Sequence, residues 1–195
     1  MPRVDSGLLE RGLTGPEDEC GDTGLIKVDG EDCFLALVDA LGHGREAHDV
    51  AVMAAEFILE DLHRDLIEMM TGLHSRLKGT RGAVATLCRL NIPGGELHYV
   101  GVGNITTRVF GAKSYSFISR DGIIGYMMSS PKLRIEKLSP GDILILTSDG
   151  LKEHFDQDEF PGLLLGSAQE IAANMMANLG KTNDDASCIV IRYLR

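Results

Sequence analysis

Three apolar, strand-like runs of this sequence each carry an aspartate at one end. Phe34–Val38 is followed by Asp39, Ile143–Ser148 by Asp149, and Ala186–Tyr193 is preceded by Asp184 and Asp185. In antiparallel neighbours the end of one strand and the start of the next share an edge, so pairing of these runs gathers their carboxylates. Asp22 joins them by arithmetic. It and Asp39 are equidistant from position 30.5, the centre of the turn Asp29-Gly30-Glu31-Asp32, so a hairpin without a bulge sets them side by side. Directly opposed residues have Cβ atoms about 4.5–5.5 Å apart. Carboxylates that close raise each other's pKa, and a divalent cation between them removes the conflict. Oxygen ligands with no clustered His or Cys favour hard ions, Mg²⁺ or Mn²⁺, over zinc. Two such ions about 3.5–4 Å apart can hold a bridging hydroxide and clamp a phosphoryl group for in-line attack. Taken singly, each of these aspartates is also ordinary turn or cap chemistry, and it is their joint placement that points to a site. The glycine-dense stretch Asp39-Ala40-Leu41-Gly42-His43-Gly44 suits close approach of backbone to a ligand.

The elements that must position these residues are readable from periodicity. Thr23–Val28 and Cys33–Val38 read as a hairpin across the Asp29–Asp32 turn. From Arg45 to Leu62 apolar residues fall at 47, 50, 51, 54, 57, 58 and 62, and from Asp65 to Leu77 at 66, 69, 70, 73 and 77. Both are the 3.6-residue stripe of amphipathic helices. Strand-like runs follow at Ala83–Ile92, Leu97–Val102, Thr106–Phe110, Tyr115–Ile118, Arg134–Leu138 and Ile143–Thr147, with Gly94-Gly95, Gly111 and Pro140-Gly141 as turns. A helix over Ser167–Leu179 precedes a last strand, Ala186–Tyr193. Short strands joined by tight turns, with helices in two groups, predict an α/β fold: an αββα sandwich of two mainly antiparallel sheets flanked by helices.

At 195 residues with 44% apolar positions, and with no repeat or linker, the chain is expected to form a single domain over 1–195. A formal charge of −10 argues against a nucleic-acid partner. The apolar runs fall far short of the roughly 18 residues of a membrane span. Four cysteines at 20, 33, 88 and 188 without a C-x-x-C pair, and no secretory leader at Met1-Pro2-Arg3, predict reduced thiols and a cytoplasmic location.

Five stretches carry a resemblance to a known family. Gly21-Asp22, Asp39-Ala40-Leu41-Gly42-His43-Gly44, Gly101-Val102-Gly103-Asn104, Leu146-Thr147-Ser148-Asp149-Gly150-Leu151 and Asn183-Asp184-Asp185-Ala186-Ser187 resemble, in order, the motifs of the metal-dependent (type 2C, or PPM) Ser/Thr protein phosphatases. The D-x-x-G-H-G form and compact length are similar to the bacterial sporulation-and-stress branch, and most of all to its stand-alone feedback phosphatase of the stressosome. The resemblance implies two bound ions, Mn²⁺ or Mg²⁺, and catalytic roles for Asp39, Asp149 and Asp184. Asp39 would bridge both ions, the Ala40 carbonyl would be a backbone ligand, Asp149 and Asp184 would complete one ion's shell, and Asp22 would hold the second. It also implies phosphorylated STAS-domain regulatory proteins of a stress-signalling complex as substrates.

Departures from that pattern carry their own expectations. Asp185 stands where the family has an amide. Pro16–Asp22 lacks the arginine with which larger relatives hold phosphate, and His43 lies four rather than two residues after Asp39, so the family's acid role is not transferred to it. The 44 residues between Asn104 and Asp149 leave little room for a substrate-contacting flap. Other motifs carry less. Gly180-Lys181-Thr182 follows a helix and reads as a helix stop, Gly101-Val102-Gly103 as backbone packing, and Met69–Met70 and Met175–Met176 as core and surface of their helices. No cysteine begins a C-x₅-R loop. A two-metal nuclease or phosphodiesterase shares the carboxylate chemistry but not the charge balance. A catalytically inactive binding module is the other class, and it would have lost at least one of Asp39, Asp149 and Asp184.

Overall fold

An apolar run without alternation must be covered on both faces, and that is how Cys33–Val38 is placed. The computed structural model describes residues 3–13, 19–155 and 159–194. Its strands and helices are, in order, β1 (Arg3–Arg11), β2 (Asp22–Asp29), β3 (Asp32–Ala40), α1 (Arg45–Leu59), α2 (Leu66–Arg76), β4 (Ala83–Asn91), β5 (Glu96–Val102), β6 (Thr106–Phe110), β7 (Tyr115–Ser116), β8 (Gly122–Ile123), β9 (Met127–Met128), β10 (Arg134–Lys137), β11 (Ile143–Thr147), α3 (Ala168–Leu179) and β12 (Ala186–Leu194). Two five-stranded sheets, β1-β12-β11-β6-β7 and β10-β5-β4-β3-β2, are antiparallel throughout; β8 and β9 form a separate small ribbon.

The period-2 alternation of β3 divides its side chains between two cores. Cys33, Leu35 and Leu37 pack between the sheets with Leu90, Leu146, Ile189 and Ile191. Phe34, Ala36 and Val38 face the layer of α1 and α2, where Ala47, Ala54, Ile58 and Leu73 meet them. On the far side Ile145, Cys188 and Val190 pack against Ile171, Ala172 and Met175 of α3. The layers are therefore helix, sheet, sheet, helix, as the hairpin and helix spacing predicts. All four cysteines are buried and unpaired.

The differences from the sequence reading have local causes. α1 ends at Leu59, not Leu62, because Asp65 starts a new helix: its side chain accepts hydrogen bonds from the Ile67 and Glu68 amides. Leu62 continues the stripe only by packing on the same core from the connecting turn. Met69 and Met70 are both fully buried, and Met175 and Met176 nearly so, which corrects the division into core and surface. β1 is an unexpected edge strand of mixed polarity, paired along its length with β12. Gly7 lies within it because a Cβ there would stand 2.5 Å from the Ala168 backbone, so α3 begins directly on the strand. Gly180 ends α3 as expected, although in extended rather than left-handed conformation. Gly103 has the packing reason expected of it: φ is +94° and a Cβ would lie 2.1 Å from Val84 Cγ1. Among the described residues no helix is long and apolar enough to cross a membrane.

Candidate metal centre

The β2–β3 hairpin runs without a bulge, so Asp22 pairs with Asp39 in register. Across β3 the Asp39 backbone faces Val84 of β4, and the Ala40 amide donates to the Gly21 carbonyl at 3.0 Å. The second sheet contributes Asp149 just past the end of β11 and Asp184 just ahead of β12, two strands that pair as neighbours. Asp39, Asp149 and Asp184 line one cleft of about 480 Å³. Its other walls are Leu41-Gly42, Gly103-Asn104 and the segment Asp121-Gly122-Ile123. Asp22 lies beneath, 4% exposed. The five residues expected at a metal centre, Ala40 included, thus stand at one end of the paired sheets.

The electrostatics of this end are strained by design of the register. Burial raises the Asp39 carboxyl to about 9, and the charges of Asp22, Asp149, Asp184 and Asp185 push the same way. Asp22 is raised to about 7, first by burial and then by Asp185 and Asp149, against the pull of the nearby Ser148 and Ser187 hydroxyls. Asp184 is raised as well, by burial and then by Asp149. One oxygen of Asp22, Oδ2, is buried without a hydrogen-bond partner, as is Ser187 Oγ. A buried carboxylate oxygen without a well-formed hydrogen bond, close to a second carboxylate and with only weakly placed serine hydroxyls nearby, fits a cation.

Neighbouring residues hold these carboxylates in place. Asn104 Nδ2 donates to Asp149 Oδ2 at 2.9 Å, and Lys181 Nζ donates to the Asp149 carbonyl at 2.5 Å. Asp185 does not point into the cleft with Asp184. It is 4% exposed and accepts hydrogen bonds from the Gly21 amide on Oδ2 and the Leu13 amide on Oδ1, both at 2.7 Å. It therefore pins the residue that precedes Asp22. Gly150 is required by the same junction, since a Cβ there would come within 1.8 Å of the Asp185 carbonyl oxygen.

Asp121 is an acidic wall of the cleft that periodicity does not pick out; its signal is the Asp-Gly pair at a turn. The short β8–β9 ribbon begins at the next residue, Gly122. It is fixed by the Gly125 amide donating to His74 Nδ1 at 3.1 Å and by the Ile124 amide donating to the Ala83 carbonyl at 2.8 Å. Among the described residues no three acidic or imidazole side chains close into a ready-made cage.

The family model for stage II sporulation protein E (SpoIIE) matches residues 29–194. Phosphoserine phosphatase RsbX of Bacillus subtilis (strain 168) is 23% identical over 179 residues, which span 88% of this chain and 86% of that protein. Among solved structures, a chain from a bacterial stressosome, a modular system adapted to control secondary messenger signalling, superimposes with a TM-score of 0.89. It is 29% identical, with 97% of this chain and all (100%) of the other covered. RsbX in complex with magnesium gives a TM-score of 0.85 at 21% identity, covering 97% and 95% of the two chains. With the matched span running from the end of β2 to the end of β12, the chain belongs to the stage II sporulation protein E (SpoIIE) family.

Proposed function

We propose that this protein is a single-domain, divalent-metal-dependent phosphoprotein phosphatase that resets a bacterial stress-signalling complex. The observation that carries the proposal is the in-register pair of Asp22 and Asp39, with Asp22 Oδ2 unpartnered, beneath a cleft that also receives Asp149 and Asp184. Asp22, Asp39, Asp149, Asp184 and the Ala40 carbonyl would hold two ions, Mn²⁺ or Mg²⁺. When bound, such ions supply an activated water and neutralise charge on the transferring phosphoryl group. The chain itself orients the ligands. Asn104 fixes the rotamer of Asp149, and Asp185 fixes the backbone entering Asp22. All four thiols are buried, so no cysteine is offered as a nucleophile.

The similarity to RsbX, described as a phosphoserine phosphatase, and to a stressosome chain supports phosphorylated STAS-domain proteins as substrates and the cytoplasm as the place of action. Phosphate release from a phosphoserine STAS protein and from p-nitrophenyl phosphate, with Mn²⁺, Mg²⁺ or EDTA, tests the proposal. Turnover is expected to require the metal and to fall at least about a hundredfold in Asp149→Asn, the scale of losing one transition-state stabiliser. Binding of the phosphoprotein with no turnover in any metal would overturn the enzyme in favour of an inactive binding module.

A further inference from the structure

A second depression, about 910 Å³ in volume, adjoins the cleft and has no part in holding the ions. The two share Gly103 and Asn104, so a molecule whose phosphate occupies the cleft can extend into this groove without a break. Strand alternation sets its floor. Ile105, just ahead of β6, and Thr107 and Val109 within it are buried, which leaves Thr106 and Arg108 on the outer face. Ser116, Ser119 and Phe155 complete a lining rich in hydroxyls and backbone, suited to an extended peptide. Arg108 is the cation within it. Its guanidinium stacks 4.8 Å from the Phe110 ring centroid and 5.2 Å from that of Phe155. Among the described residues it makes no ion pair with a carboxylate. Phe110 and Phe155 pack on each other with centroids 5.8 Å apart, so the guanidinium rests against one side of the ring pair and keeps N–H groups for a planar acceptor.

We infer that this groove docks the phosphoprotein segment flanking the phosphoserine, and that Arg108 selects a carboxylate on it. The inference rests on the phosphatase reading above. Arg108 stands four positions after Asn104, in the strand that begins at Thr106, a reach of about 13 Å at roughly 3.3 Å per residue for extended chain. An extended substrate therefore presents its acid about four residues from the phosphoserine. Glu153 and Glu159 line the same groove and repel an acid placed elsewhere, so the preference is for one position and not for acidity in general.

The test uses three synthetic phosphoserine peptides of otherwise neutral sequence. One carries Asp four residues before the phosphoserine, one carries it four residues after, and one carries none. Binding to wild type and Arg108→Gln is read by fluorescence anisotropy with Mn²⁺, and phosphate release is read in parallel. One acid-bearing peptide is expected to bind wild type about fivefold more tightly than the acid-free peptide, the scale of a half-exposed ion pair. That preference is expected to vanish in Arg108→Gln, which keeps the packing stem without the charge. No preference in wild type, or one that persists in the variant, would overturn the inference. Because binding is read without turnover, absent hydrolysis counts against the phosphatase reading alone.

Discussion

Asp39 is the residue at which folding and function pull hardest against each other. Its carboxyl titrates higher in the folded chain than in the unfolded one, so the folded state binds protons more readily. Without metal, the stability this contributes is full below the ordinary carboxylate range and is lost as pH rises through about 7 for Asp22 and about 9 for Asp39. The metal-free protein should therefore melt at a lower temperature at pH 8 than at pH 6. Asp39→Asn should raise the pH 8 value by about 1–3 kcal/mol, or roughly 2–4 °C per kcal/mol, and saturating Mn²⁺ should reverse the order of wild type and variant. Thermal unfolding in EDTA and in Mn²⁺ reads both effects, and a metal-free variant no more stable than wild type would remove carboxylate repulsion as the cause. The Asp22–Asp39 pair was legible because one hairpin turn sets its register. Asp149 and Asp184 were legible because strand ends are visible as changes in composition. The role of Asp185 was not, since its partners at Leu13 and Gly21 lie more than 160 residues away in sequence.

Elements follow the same division between local and distant causes. β3 and β11 announce themselves as continuous apolar runs, because each is covered on both faces. β1 gives no such signal. It is an edge strand whose side chains alternate among charged, polar and apolar types, and β12, its partner, is at the other end of the sequence. The β8–β9 ribbon has only two residues per strand, too few to show a period. Gly7 was the available clue to β1, as a strand glycine where another backbone passes. Gly7→Val should destabilise the fold by about 1–3 kcal/mol through the clash with the start of α3. Chemical denaturation measures this, and a neutral result would mean that α3 can lift from the strand at no cost.

At the scale of the molecule, the two sheets share a single core and β12 lies between β1 and β11, which ties both ends of the described chain into one layer. The charge of −10 is in keeping with the proposed metal site, since a negative field draws cations. Each of the four thiols is buried, and burial pushes Cys20, Cys33 and Cys188 up to about 12 and Cys88 further still. A thiol that does not ionise is a poor target for peroxide. Turnover should accordingly survive millimolar hydrogen peroxide and be indifferent to dithiothreitol, and loss of activity that dithiothreitol restores would show a reachable cysteine. On the proposed phosphatase reading, a protein whose thiols are so insulated does not itself serve as the oxidant sensor, and removal of phosphate is expected to continue through an oxidative burst.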